Sequence, residues 1–286
     1  MERRVPTRHD FVVRVQLRTS MLRRLKRTLV LAAKRWLPTR LKSFLFRFSF
    51  AVMDEAQQFN FRQRYNMVSM EWSLCNMARI GFRPAAILDI GAYEGEWTRL
   101  AGQVFPDARI LMVEAQRSKE DTLKRIADAS GGNMSCHIAL LGPEAKEAVD
   151  FYEMELGSSV LHERCDATRR KVSRAMTTLD ALMRQADVKR VDFVKLDVQG
   201  YELEILKGGE ETLRHAEVVL MEVSLLGVIE GAPLMPEVMA GMKQRGFVPY
   251  DICTLMRRPL DRALWQVDMV FVKEISPLLA NRTKGN

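Results

Sequence analysis

The amino-acid sequence predicts an α/β protein: a doubly wound, mostly parallel sheet preceded by an N-terminal helical extension. Three observations predict it. Short continuous apolar runs (ILDI, ILMV, FVKL and VVLM) recur, as strands do when helices cover both faces of their sheet. Helical patterns separate these runs, the alternation that marks parallel strands joined by crossovers. A glycine-bearing turn, ILDIGAYEGEWT (Ile87–Thr98), feeds the first run into the helix after it.

The extension comes first. Residues 1–50 hold fourteen Lys/Arg against Glu2 and Asp10, a local net of +12. The other 236 residues hold 30 basic and 34 acidic groups, so the formal net charge of +8 conceals a mildly acidic domain with a basic arm. We assign the arm to residues 1–55 and the helical lead-in with the α/β domain to residues 56–286. Leu22, Leu25, Leu29, Ala33 and Trp36 recur at helical spacing before Pro38. Leu41, Phe44, Leu45 and Phe48 form a second stripe, beside Arg40, Lys42 and Arg47. Such faces suit a helix lying on an anionic membrane, an ordinary amphipathic helix packed on the domain or a partner, or a phosphate backbone. Nucleic acid is the least supported, because no RNA- or DNA-reading module accompanies the arm. No uncharged apolar run approaches the roughly 18–20 residues of a membrane span. The start, MERRVPTRHDFVV, lacks a signal peptide's apolar run and cleavage site. Cys75, Cys136, Cys165 and Cys253 show no zinc or disulfide spacing, so buried thiols in a reducing cytosol are expected.

One helical pattern runs from Ala56 to Ile80 and ends near Gly81 and Pro84. Strands are then expected at 86–90, 109–114, 135–140, 192–197, 217–223 and 266–272. Helices are expected at 95–104, 119–129, 179–185, 201–214 and 236–245, with pocket loops at 148–170 and 225–236. In such sheets ligands bind beyond the carboxyl ends of the strands, where strand order reverses. The candidate residues are therefore Asp89–Gly95, Glu114, His137–Ala139, Asp197–Gly200 and Glu222.

The turn does not match a phosphate cradle. A dinucleotide fingerprint needs its middle glycine where Tyr93 stands, and a Walker loop needs an absent Gly-Lys-Ser/Thr. Asp89, Glu94 and Glu96 would repel a pyrophosphate. S-adenosyl-L-methionine brings a sulfonium and an ammonium instead, which acids suit. Glu114 lies 23 residues after Gly91, near the roughly 20-residue offset at which an acid grips a ribose diol. Asp89, Gly91, Ala92, Tyr93, Glu94, Gly95, Glu114, Ala115, His137, Ile138 and Ala139 are thus the candidate cofactor site. The two glycines also admit a reading as tight strand-to-helix packing, and Glu114 as a solvated strand end.

VDFVKLDVQGYELEILKGGEETL (Val191–Leu213), MTTLDAL (Met176–Leu182), GSSVL (Gly157–Leu161), VVLMEVS (Val218–Ser224) and GFRPAAILDIGAYEGEWT with VEA at Glu114 carry a resemblance. Together they resemble, in order, the FkbM family of S-adenosylmethionine-dependent methyltransferases. The resemblance implies a Rossmann-like class I methyltransferase fold and O-methyl transfer to a hydroxyl of a sugar, glycan or polyketide-type metabolite. Gln199 stands where many members carry Glu, so no catalytic role is given to it. The third strand's end lacks the acid that many methyltransferases place on adenine.

Methyl transfer needs an aligned acceptor and a base for its proton. Asp197 is the first candidate, Glu222 the second, and Glu202, just after the turn, a pocket candidate. A lesser reading makes Asp197 a helix cap, and Glu222 also admits a reading as the partner of a cation such as Lys195. No ligand spacing supports a metal at either residue. His162 is a further loop candidate, whereas His9, His137 and His215 form no constellation. Tyr93 and Trp97 are expected to pack around the turn. Two other functions stay open: an RNA methyltransferase using the arm, and a non-catalytic membrane-associated scaffold. No Asn/Asp-Pro-Pro-aromatic element supports exocyclic base amines as targets. The arm adds the expectation of a cytoplasmic protein, peripheral at the inner face of a membrane, with a membrane-linked acceptor.

Overall fold

The computed structural model describes residues 38–65, 67–153, 158–161 and 170–280. The stripe from Leu22 to Trp36, His9, Gly157, His162 and Cys165 lie outside the described residues. The chain divides into two compact units, residues 1–65 and 66–286.

In the first unit, helices span Thr39–Ala51 and Glu55–Arg64. Asp54 and Gln57 close a capping box on the second, each side chain accepting the other's backbone N–H. The single helix expected from Ala56 to Ile80 is two. A new helix, Met70–Arg79, starts where the Ser69 hydroxyl accepts from the Trp72 N–H.

The second unit is the expected α/β fold. Its strands are β1 (Ala86–Ile90), β2 (Arg109–Glu114), β3 (Met134–Ile138), β4 (Leu140–Gly142), β5 (Lys146–Glu153), β6 (Arg170–Thr178), β7 (Phe193–Leu196), β8 (Val218–Ser224), β9 (Phe247–Arg257) and β10 (Leu264–Lys273). Seven form one sheet in the order β3-β2-β1-β7-β8-β10-β9. Its first five strands are parallel, and β10 runs antiparallel to both β8 and β9. The order reverses between β1 and β7. That is where a crevice opens beyond the strand ends.

Helices Glu96–Val104, Glu120–Ala129, Leu179–Gln185 and Met235–Gln244 match the expected ones closely. The helix expected at 201–214 is interrupted into Glu202–Lys207 and Glu210–His215 at Gly208 and Gly209. A Cβ on Gly208 would collide with the Gly142 carbonyl, so close packing on β4 sets the break. Two core clusters form on the sheet. One contains Leu88, Val194, Leu196, Val219, Met221 and Phe271; the other contains Ile87, Phe193, Val218, Leu220 and Val270. The alternation along each strand confirms a sheet buried on both faces.

A second sheet, β4-β6-β5, was not expected, and it takes up residues 148–153 and 170 of the segment expected as loop. Part of the expected 148–170 loop is therefore strand, and the strand expected at 135–140 ends at Ile138 before β4 restarts. Thr178 and Asp180 of the MTTLDAL segment have scaffold roles. Thr178 caps its own helix, and Asp180 accepts from the N–H groups of Glu211 and Thr212 and from the Thr212 hydroxyl.

Candidate functional site

A cavity of about 540 Å³ opens at the strand-order reversal. Of the expected site residues, Gly91, Tyr93, Glu114, Ala115, Ala139, Asp197 and Glu222 line it. Asp89, Ala92, Glu94, Gly95, His137, Ile138 and Glu202 do not. The division has a local physical cause at each strand tip.

The β1 turn begins with Gly91 at φ +76°, and Tyr93 follows at φ +48°. The N–H groups of Gly91 and Ala92 both donate to the Val113 carbonyl of β2, at 2.9 and 3.1 Å. Gly91 also faces β7: a Cβ there would collide with the Asp197 carbonyl oxygen. Its glycine is required by backbone approach, whatever the cavity holds.

Glu114 ends β2 and is buried. One carboxylate oxygen accepts from the Tyr93 N–H at 2.8 Å, the other from the Gln116 N–H at 2.9 Å. Burial pushes its carboxyl above the usual range, with these N–H groups and Lys195 opposing. Each carboxylate oxygen has a second acceptor site, so Glu114 can still receive two hydroxyl donors. That chemistry fits a vicinal diol.

The acids expected to favour a cation at the turn have other partners. Asp89 is fully buried, accepts from the Thr98 hydroxyl and pairs with the Lys195 ammonium at 3.0 Å. Glu94 pairs with Lys119 at 2.8 Å, and Lys119 also lies 3.9 Å from the Tyr93 ring centre. Glu96 is exposed. Asp89 thus belongs to the scaffold, a correction that follows from its register opposite Lys195 in β7. Trp97 packs edge-on against Phe193 in the core, with the Lys195 ammonium 5.9 Å from its ring centre.

On the other side of the reversal stand the carboxyls of β7, β8 and β10. The Asp197 side chain is 42% exposed and accepts from the Gln199 amide at 3.2 Å, with Lys195 at 3.7 Å. Glu222 is 7% exposed and accepts from Gln266 at 2.5 Å and Gln199 at 3.3 Å. Burial first, then the charges of Asp197, Glu202 and Asp268, push its carboxyl well above the usual range. Glu222 is not paired with Lys195, which the sequence left open. Gln199 holds φ +58°, a left-handed position that lets one amide serve both carboxyls.

Glu202 is turned inward. It is buried, and one oxygen accepts from the N–H groups of Val198 and Gly200 at 3.0 and 3.2 Å. Burial pushes its carboxyl up to about 7. It caps the turn that carries Asp197 and Gln199, which corrects its expected place in the pocket. From outside, the Ser159 hydroxyl donates to the Gln199 carbonyl at 3.0 Å. The serine loop therefore clasps the same turn.

Asp268, Gln266, Trp265 and Met256 also line the cavity, as do Phe151 and Tyr201. Sequence reasoning missed them. Polar residues two apart inside an apolar strand, Gln266 and Asp268 of LWQVDMVFV, were the available signal. Asp268 lies opposite Glu222 in register and accepts from the Thr254 hydroxyl. Burial raises its carboxyl too. Among the described residues no group of three or more His, Cys, Asp or Glu is placed to hold a metal ion.

A cleft at the reversal of a doubly wound sheet, with the buried Glu114 carboxyl on one wall and the carboxyls of Asp197, Glu222 and Asp268 on the other, stands where α/β proteins of this kind take their ligands. The model of the methyltransferase FkbM domain matches residues 89–249, and the chain belongs to that family. Among solved structures, the chain is similar to methyltransferase FkbM from Methylobacillus flagellatus KT at 18% identity and TM-score 0.46. The match covers 73% of this chain and 50% of that one. The chain thus spans half the length of that protein. It is also similar to 1,6-didemethyltoxoflavin-N1-methyltransferase from Burkholderia thailandensis (14% identity, TM-score 0.40, 82% of this chain and 90% of that one). A third is precorrin-6y C5,15-methyltransferase from Geobacter metallireducens GS-15 (11%, 0.40, 71% and 87%). No curated protein matches the chain.

Proposed function

We propose that the chain is an S-adenosylmethionine-dependent O-methyltransferase acting on a hydroxyl of a sugar, glycan or polyketide-type metabolite. One observation carries the reading: a single cavity joins Gly91, Tyr93 and Glu114 on one wall to Asp197 and Glu222 on the other. When bound, S-adenosylmethionine supplies a methyl group on a sulfonium centre. Glu114 would hold its ribose diol, while Tyr93, Ala115 and Ala139 would wall its nucleoside. Asp197 accepts the acceptor's hydroxyl proton, oriented by Gln199. Glu222, whose carboxyl is raised, keeps a proton more readily and can donate a hydrogen bond to the same acceptor. Trp265 and Tyr201 supply flat apolar surface beside these groups, which suits the C–H face of a sugar ring.

Calorimetric titration with S-adenosylmethionine and S-adenosylhomocysteine tests the donor half. Binding of both is expected, and Glu114→Ala should weaken it about tenfold or more, the scale of one lost charged hydrogen bond. No heat of binding for either would sink the proposal. Mass spectrometry of glycans and metabolites, with and without the protein, identifies the acceptor through a missing methyl group.

We also propose that the arm holds the enzyme at an anionic membrane on its cytoplasmic side, near a membrane-linked acceptor. Within the helix Thr39–Ala51, Phe44 is 62% and Phe48 58% exposed, with Leu41 and Leu45 exposed beside them. Their rings stack at 6.3 Å, and Arg40 and Lys42 share the helix. That composition supports interfacial binding. Deleting residues 1–50 should abolish sedimentation with phosphatidylserine liposomes and spare S-adenosylhomocysteine binding. Equal sedimentation of the shortened chain would remove the membrane proposal.

A further inference from the structure

Lys195 is a lysine in the middle of the apolar strand FVKL, its side chain 8% exposed. Burying an ammonium in a sheet core is costly unless charge and hydrogen bonds compensate it. Its compensation comes from three segments. The Asp89 carboxylate of β1 lies at 3.0 Å, the Gly91 carbonyl oxygen at 3.0 Å, and the Asp197 carboxylate at 3.7 Å. Burial works against the charge, but Asp89 and Asp197 outweigh it and hold the ammonium above the usual lysine range.

Neutralising Asp89 accounts for only one of these contacts. The Gly91 carbonyl belongs to a residue on the cavity wall, and the lysine holds it as well. Gly91 sits at φ +76°, and glycine lets the adjoining peptide reorient easily. On the β2 side, the N–H groups of Gly91 and Ala92 are held by the Val113 carbonyl. On the β7 side, Lys195 grips the oxygen of the same Gly91–Ala92 peptide. The peptide that opens the donor turn is therefore clamped from both neighbouring strands.

We infer that Lys195 is a positioning residue of the donor site: its ammonium fixes the Gly91 carbonyl and ties that turn to Asp197 on the acceptor wall. The inference rests on the reading of the cavity as an S-adenosylmethionine site. It assigns Lys195 no contact with either substrate. Its effect passes through the turn.

Two variants of the full chain, read by thermal unfolding and by calorimetric titration with S-adenosylhomocysteine, test it. Lys195→Met removes the clamp but leaves the Asp89 charge buried and uncompensated, so a large loss of stability is expected. Lys195→Met combined with Asp89→Asn removes both charges and keeps a side-chain acceptor for Thr98. The double variant should melt close to the wild type, while its affinity stays about tenfold weaker, the size of one lost hydrogen bond to a charged group. A purely structural lysine predicts that stability and affinity recover together, and that outcome overturns the clamp. A double variant that fails to recover stability also overturns it, because the lysine's other contacts would then serve to hold the fold together rather than to position the turn. Failure of the wild type to bind S-adenosylhomocysteine is a different result, which removes the donor site itself.

Discussion

The two turns that face each other across the cavity handle charge in opposite ways. At the β1 turn, Asp89 and Glu94 are matched by Lys195 and Lys119, so the wall offers peptide groups, an aromatic ring and Glu114. At the β7 turn and beside it, Asp197, Glu222 and Asp268 stand close together, with Lys195 3.7 Å from Asp197 and two glutamines as hydrogen-bond donors. The difference teaches that acids near a motif do not by themselves define its ligand. On the proposed function, the acids on the wall opposite, left without full compensation, are the ones to exchange a proton.

Three variants would break or sharpen that contrast. The largest effect is expected for Asp197→Asn, which keeps the shape of that wall and removes the proposed base. The methylated product should fall about a hundredfold or more, the range of general-base removal, while S-adenosylhomocysteine affinity stays near wild type. Undiminished product would move the role of base to Glu222.

Gly91→Ala should cost on the order of 3 kcal/mol of stability, from left-handed strain and collision with the Asp197 carbonyl. Denaturant unfolding measures it. A loss well under half that size would mean that the two turns separate easily.

The smallest effect is a slope against pH. Glu202 titrates at about 7 in the folded chain and at 4.5 ordinarily. Below about 4.5 both folded and unfolded chains hold its proton, and the group does not affect stability. Between 4.5 and 7 the folded chain binds more protons, so rising pH lowers stability, and the deficit is complete above 7. Its ceiling is about 3 kcal/mol. Glu202→Gln, still able to accept from Val198 and Gly200, removes that deficit. The stability gap between this variant and the wild type should widen from pH 5 to pH 8 in unfolding titrations. A constant gap would mean that Glu202 is charged throughout.

Much of this was legible in the sequence because the central strands obey one rule. ILDI, ILMV, FVKL and VVLM are buried on both faces, and a continuous apolar run says so directly. Glu114, Asp197 and Glu222 followed because they end such runs. β5 and β6 were not legible: KEAVDFYE is charged and mostly exposed, and no turn signal announces the pairing. β9 lies at the sheet edge, where Pro249 is tolerated, and its sequence neither runs continuously apolar nor alternates. With β9 not expected and β10 expected only as 266–272, Met256, Trp265, Gln266 and Asp268 stayed hidden. Asp89 and Glu202 were misplaced for another reason. Sequence position puts them at the right strand ends, but only the register with Lys195 and the inward turn at Gly200 show which way each faces.

The small β4-β6-β5 sheet delivers Phe151 to the cavity and, through the bridge between Tyr152 and Ser159, holds the loop that clasps Gln199. It enters the chain as one excursion after β3, apart from the strands that carry Gly91 and Glu114. On the proposed function, residues 140–178 form a separable cassette, whose exchange would reshape the acceptor side and leave the strands that carry Gly91 and Glu114 in place.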